Sequence, residues 1–147
     1  MMDWRTEAID KLSQYEAKRQ ALESIPEQIA EIDKAMTAIR SARTDGIPVK
    51  GGGSGYEDRM MNLIVQKEEL QCCLDCAQRW MRIVDRGLSV LDSEERKVLE
   101  RLYIIRERGA VSRLADELGL MDERTVYKRR DIAIRKFTIA LYGCVES

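Results

Sequence analysis

Apolar residues recur through the first part of the chain in alternating steps of four and three. Trp4, Lys11, Lys18, Ile25, Ile32 and Ile39 interleave with Ala8, Tyr15, Leu22, Ile29 and Met36, and nine of these eleven are apolar or aromatic. That repeat, held from Trp4 to Ala42 without a glycine, predicts one long helix with a single narrow stripe. Pro26 interrupts the segment, and it either opens a new helix after Ser24 or bends a continuous one. The unbroken frame favours a bend or a very tight junction. From Tyr56 to Leu91 the same frame returns at Tyr56, Met60, Leu63, Lys67, Leu70, Leu74, Ala77, Met81, Val84, Leu88 and Leu91, ten of eleven apolar or aromatic. The two helices would be ~58 Å and ~54 Å long at 1.5 Å per residue.

Between them, residues 43–55 hold five Gly, one Ser and one Pro, which predicts a flexible linker. This cluster lacks the Gly-x4-Gly-Lys-Ser/Thr pattern, and no strand precedes it, so it is no phosphate loop. Matched helices on a short link suit an antiparallel hairpin over 1–91. Stripes this narrow also suit pairing with another chain, so homo-oligomer formation through the hairpin is expected. Lys11, Lys18 and Lys67 are polar intrusions in the seam, of the kind that select register or partner at some cost in stability.

Residues 92–147 read differently. Asp92 followed by Glu94 and Glu95 is a helix start. Val98, Leu99, Leu102, Tyr103 and Ile105 then form a broad apolar face. The run from Arg106 to Ala110 breaks the pattern. A short helix over Ser112–Leu118 ends at Gly119, and Asp122 caps a last helix that stops at Gly143 after Tyr142. No segment alternates with period two, so no sheet is expected. The predicted fold is all-α: a long antiparallel helical hairpin, then a helix-turn-helix domain over 92–147.

Spacing carries that last assignment. Leu114 and Leu118 share a face, Ala115 stands where two helices cross closely, Gly119 permits a left-handed turn, and Leu120 plugs the core from the turn. Val126, Ala133, Ile134 and Phe137 give the last helix its buried side. Its other side presents Arg124, Tyr127, Lys128, Asp131 and Arg135.

Charge changes the picture only when divided. The whole chain has 25 Lys and Arg against 26 Asp and Glu, net −1, which argues against a nucleic-acid partner. Yet Arg124–Lys136 holds six basic residues and one acid, net +5. Positive charge is thus concentrated on the helix that would enter a major groove. A basic helix face is common on any helical surface; with the spacing of Ala115, Gly119 and Leu120 it points to double-stranded DNA. The candidate DNA-binding residues are Arg124, Lys128, Arg130 and Arg135, with Thr125, Tyr127 and Asp131 on the same helix. Tyr127 either contacts a phosphate or thymine methyl or packs on its own helix.

Composition excludes much else. The chain has no His, which removes Ser-His-Asp and Cys-His catalysis and His-ligated metals. Acids sit at solvent-facing heptad positions beside Lys and Arg, where they support helix, so no enzyme, metal or cofactor is expected. Cys73-x-x-Cys76 lacks a second pair, and burial of Cys72, Cys73, Cys76 and Cys144 as small hydrophobes is the simpler expectation. Trp4 and Trp80 fall at or beside the seam as packing anchors. No leader-like or membrane-spanning apolar run occurs, and reduced thiols suit a cytoplasmic protein with no membrane contact.

Leu91–Glu100, Leu114–Gly119 and Arg124–Tyr127 together resemble region four of bacterial sigma factors, which in that family binds promoter −35 elements. With the run Ala133–Gly143 and the coiled-coil leader, the chain resembles the ArpU/RinA-like phage regulators of Gram-positive bacteria. That resemblance implies a phage or prophage transcription regulator of late packaging and lysis genes, with host RNA polymerase as a further partner. Val126 follows Gly119 one residue later than in the usual helix-turn-helix, so the turn here is longer. Nothing in 1–91 resembles the other sigma regions, which favours a sigma-like regulator over a self-sufficient initiation factor. Two rivals stand beside it: a small terminase subunit that binds DNA for packaging, and an RNA-polymerase-binding adaptor without DNA contact.

Overall fold

The computed structural model describes residues 2–44 and 53–145, with side-chain surroundings for 2–42 and 55–145. Five α-helices follow in order: α1 Trp4–Thr44, α2 Gly53–Ser89, α3 Ser93–Leu99, α4 Ala110–Glu117 and α5 Glu123–Tyr142, with a π-helical turn over Glu100–Ile104 between α3 and α4. No β-strand occurs among the described residues. The all-α expectation therefore holds. Of the expected linker 43–55, residues 45–52 lie outside the described residues, while Arg43–Thr44 and Gly53–Gly55 are helical. Helix α1 runs through Pro26. The ring removes one backbone donor, and the four-three stripe continues on both sides of it.

The chain forms two compact units, Met1–Arg19 with Arg79–Ser147, and Gln20–Gln78. In the second unit α1 and α2 run antiparallel: Lys67 Nζ lies 2.7 Å from Asp33 Oδ1, and a surface groove brings Glu31 and Ile32 together with Glu69 and Leu70. Ile25, Met36, Met60 and Ala77 are buried, and Leu22, Ile29, Ile32, Leu63, Leu70 and Leu74 are half-buried. The seam is thus where the repeat places it.

In the first unit the start of α1, the end of α2, α3, the π turn and α5 enclose one core. Its interior is Ala8, Leu12, Val84, Leu88, Leu91, Leu99, Ile104, Ala133, Ile134 and Phe137. Leu12 stands outside the four-three frame, yet it is fully buried because α5 supplies a second wall beside α2. Trp4 stacks on Tyr142 with ring centroids 4.7 Å apart, and Tyr15 meets Trp80 at 6.4 Å, so both tryptophans are packing anchors. Two of the seam lysines find aromatic faces: Lys11 over Tyr142 and Lys18 over Trp80, each 5.7 Å from the ring centre. The Tyr15 hydroxyl donates to Asp85 at 2.6 Å. Partial burial and that acceptor push its pKa up to about 12.

Two expectations are corrected. Ile105 is exposed and Ile104 is buried in its place. The cause is the π turn: the Ile105 amide donates to the Glu100 carbonyl at 2.8 Å, a five-residue step that swings Leu99 and Ile104 onto one face. The four cysteines are free and exposed rather than buried. Cys72, Cys73 and Cys76 fall between seam positions Leu70, Leu74 and Ala77, so the helix turns them outward.

Gly87 shows how closely two helices approach. A Cβ there would meet Phe137 Cε2 at 2.9 Å and Leu141 Cδ2 at 3.0 Å. Only a residue without a side chain lets α2 lie this near α5.

Candidate nucleic-acid interface

Helix α3 begins with a full capping box. The Glu95 amide donates to Asp92 Oδ1 at 2.8 Å, and the Asp92 amide donates to Glu95 Oε1 at 3.1 Å. That bond from the Glu95 amide holds the Asp92 carboxyl below the usual range. The short helix α4 follows Gly109, which sits at φ +69°, and ends before Gly119, at φ +67°. Both conformations favour glycine, so the turn residues are set by backbone geometry. Asp122 then caps α5, accepting from the Thr125 amide at 3.1 Å. Helix α5 ends at Gly143, φ +78°.

Between α4 and α5 lies a second small core of Val98, Leu114, Ala115 and Val126, flanked by Leu102, Val111, Leu118 and Leu120. Ala115 and Leu120 therefore occupy the close crossing and the plug that the spacing predicts. The Leu120 amide donates to the Ala115 carbonyl at 2.8 Å, closing the longer turn. A charged cluster locks the far side of α4. Glu117 lies 2.9 Å from Lys97 Nζ and 2.7 Å from Arg101 Nη1. Hydrogen bonds from Lys97 and then Arg101 bring the Glu117 carboxyl down to about 2. Glu107 accepts from Arg101 at 2.5 Å and also pairs with Arg113. Both bonds hold its carboxyl below the ordinary range.

The two sides of α5 are cleanly separated. Val126, Ala133, Ile134, Phe137 and Thr138 are buried, while Arg124, Tyr127, Lys128, Asp131 and Arg135 are exposed. Positions 124, 128, 131 and 135 fall on one face of a helix and span ~16 Å. Thr125 is half-buried, and its hydroxyl lies 3.2 Å from Asp122 Oδ1, so it serves the cap. The Arg130 guanidinium lies over the Tyr127 ring at 4.9 Å. The ring thus packs with a neighbour on its own helix and still stays 41% exposed.

The six basic side chains are not equivalent. Arg129 pairs with Glu94. Lys136 Nζ lies 2.9 Å from Glu95 Oε2, and that bond raises the lysine above its usual range. Arg130 pairs with Asp131 at 2.9 Å. Among the described residues, Arg124, Lys128 and Arg135 have no ion-pair partner. These three are therefore the cations available to a ligand. Asp131 also accepts from Arg5 of α1 at 2.7 Å. Burial alone would raise its carboxyl, but the bonds from Arg130 and Arg5 outweigh it and hold it below the usual range. This acid clasps the start of α1 to the middle of the exposed face of α5.

Sequence reasoning did not reach the pairs made by Glu94, Glu95 and Arg5. The Lys136 to Glu95 bond spans 41 positions, and no local spacing marks a contact of that range. The capping-box pattern does mark Glu95, but only for its backbone role. Among the described residues no group of His, Cys, Asp and Glu is arranged to hold a metal ion. Among the described residues no helix is long and apolar enough to cross a membrane. Comparison with known protein families, curated proteins and solved structures finds no match to this chain.

Proposed function

We propose that this chain is a sequence-specific regulator of transcription that grips duplex DNA with the exposed face of α5, as the sigma region-four and phage-regulator resemblance implies. The observation that carries the reading is the row Arg124, Lys128 and Arg135. These cations share one helix face, are exposed and have no ion-pair partner among the described residues. Guanidinium and ammonium groups in such a row reach phosphates on both walls of a major groove and guanine edges on its floor. Tyr127 and Arg130 form the shoulder of the same face. Late packaging and lysis genes of a phage or prophage are the targets that the resemblance implies, and self-association through the hairpin would match a two-fold operator.

The test is fluorescence anisotropy on duplex fragments from the source genome, across a range of salt. Replacing Arg124 and Lys128 together with Ala is expected to weaken binding and to reduce the slope of log affinity against log salt by about 2. Lys34→Ala on α1 serves as the control and leaves both unchanged. An affinity and a salt slope unaffected by the double replacement would falsify the assignment of α5 as the reading helix.

A further inference from the structure

Helix α1 begins beside the face of α5 that carries the row of open cations. Trp4 stacks on Tyr142 with ring centroids 4.7 Å apart, and Lys11 lies over the same ring. These contacts fix the first turns of α1 against the end of α5. One residue on from Trp4, the Arg5 guanidinium reaches Asp131. Asp131 stands one turn after Lys128 and one turn before Arg135, so a duplex laid along the row also passes Arg5.

The charges around Asp131 do not balance. Its Oδ1 accepts from Arg5 Nη2 at 2.7 Å, from Arg130 Nε at 3.1 Å and from Arg130 Nη2 at 2.9 Å. One carboxylate thus faces two guanidiniums, and one positive charge is left over. A staple between α1 and α5 needs only one cation. Arg130 is held further by the Tyr127 ring beneath it. Arg5 has no such second contact among the described residues. Only its Nη2 meets an acceptor, so the Nε and Nη1 donors stay open. Its side chain is 42% exposed, and that of Asp131 48%.

The acids near Arg5 do not cancel it. The Asp3 carboxylate is occupied in capping α1, accepting from the Arg5 amide at 3.1 Å, the Thr6 amide at 3.3 Å and the Thr6 hydroxyl at 2.6 Å. Glu7 stands two positions on from Arg5, which places it on the other side of α1.

We infer that Arg5 is a second point of DNA contact, supplied by α1. Its open donors bind a backbone phosphate beside the groove that α5 enters, and Asp131 is a positioning residue that holds the guanidinium toward it. A guanidinium fork matches phosphate oxygens in geometry as well as in charge. The contact carries no base information; it fixes the register of α5 on the duplex. The inference rests on the proposed reading of α5 and adds to it a residue 126 positions away from Asp131 in the chain.

The test uses the full-length chain and the duplex fragments of the anisotropy assay. Arg5→Ala is expected to weaken binding about fivefold for all sequences alike and to lower the salt slope by about 1. Arg5→Lys keeps the charge and most of the slope. The deciding variant is Arg5→Ala in an Asp131→Asn background, where no carboxylate is left for Arg5 to neutralise. The loss of Arg5 is expected to weaken binding and lower the slope there too. No effect in that background would show that Arg5 only neutralises Asp131, and overturns the inference. Wild type gives an independent measure that needs no variant to fold. Phenylglyoxal modification of arginine, read residue by residue by mass spectrometry, is expected to slow several-fold at both Arg5 and Arg124 when duplex is bound. Protection of Arg124 without protection of Arg5 overturns this contact and leaves the proposed function standing. Protection of neither overturns both.

Discussion

The two compact units solve the burial problem with different means. In Gln20–Gln78, α1 and α2 pack on each other, and most seam residues stop at half-burial. In the unit built from Met1–Arg19 and Arg79–Ser147, α5 adds a wall, and Leu12, Val84, Leu88, Leu99, Ile134 and Phe137 lose almost all contact with water. A lone pair of helices buries one stripe per helix, because each has only one neighbour. A third element converts a stripe into an interior. The same seam repeat thus contributes little burial per residue in one stretch and a closed core in the other. The two-helix unit also leaves Met61 and Val65 exposed.

Phe137→Ala probes the largest effect. Phe137 is fully buried among residues from α1, α2, α3 and the π turn, so its loss is expected to cost about 3–5 kcal/mol. Ile29→Ala, in the half-buried seam, is expected to cost about 1 kcal/mol, because its site is already partly wet. Urea denaturation followed by circular dichroism compares the two; equal costs would break the contrast between a closed core and an open seam.

Gly87→Ala tests the closeness of α2 to α5. Alanine in a helix interior gains up to about 1 kcal/mol over glycine, but the added methyl meets the Phe137 ring at 2.9 Å. Overpacking costs about 1–3 kcal/mol, so the net is a loss of roughly 1 kcal/mol. A melting temperature that rises on substitution would show that the ring yields freely.

The smallest effect is one of pH. Glu117 titrates at about 2 in the folded chain against an ordinary value of 4.5. Its pairs with Lys97 and Arg101 therefore add stability that is complete above about pH 4.5 and vanishes as pH falls toward 2. Wild type is expected to melt above Glu117→Gln at pH 6, with the gap closing through that acid window. A gap independent of pH would show that the cluster acts by packing alone.

Much of the region from α3 to α5 was legible in the sequence. Asp92 and Asp122 cap where their side chains predict, and Gly119 and Gly143 adopt the left-handed backbone that stops a helix. Val126, Ala133, Ile134 and Phe137 are buried, and Arg124, Lys128 and Arg135 are outside. All of this depends on residues within a turn or two of one another, where helical geometry translates spacing into direction. The exchange of Ile105 for Ile104 was not legible, because a π turn alters the period that the prediction assumes. The cysteines were legible in part. Their offset from the seam marks them as outward-facing, but a preference of free thiols for burial masked it.

What the sequence determined by itself was the set of helices, their ends and the inward face of each, since caps, glycines and periodicity act locally. Tertiary structure decided the pairs that engage Arg129 and Lys136, while Arg130 pairs with its own neighbour Asp131. Six basic residues crowd one stretch of α5, yet Glu94 and Glu95 from α3 and Asp131 within α5 engage three of them, and Arg5 from α1 reaches across to Asp131. Ion pairs form between side chains that folding brings within about 4 Å. Charge counted along a chain therefore bounds the field of a helix, and the packing of its neighbours sets what remains of it.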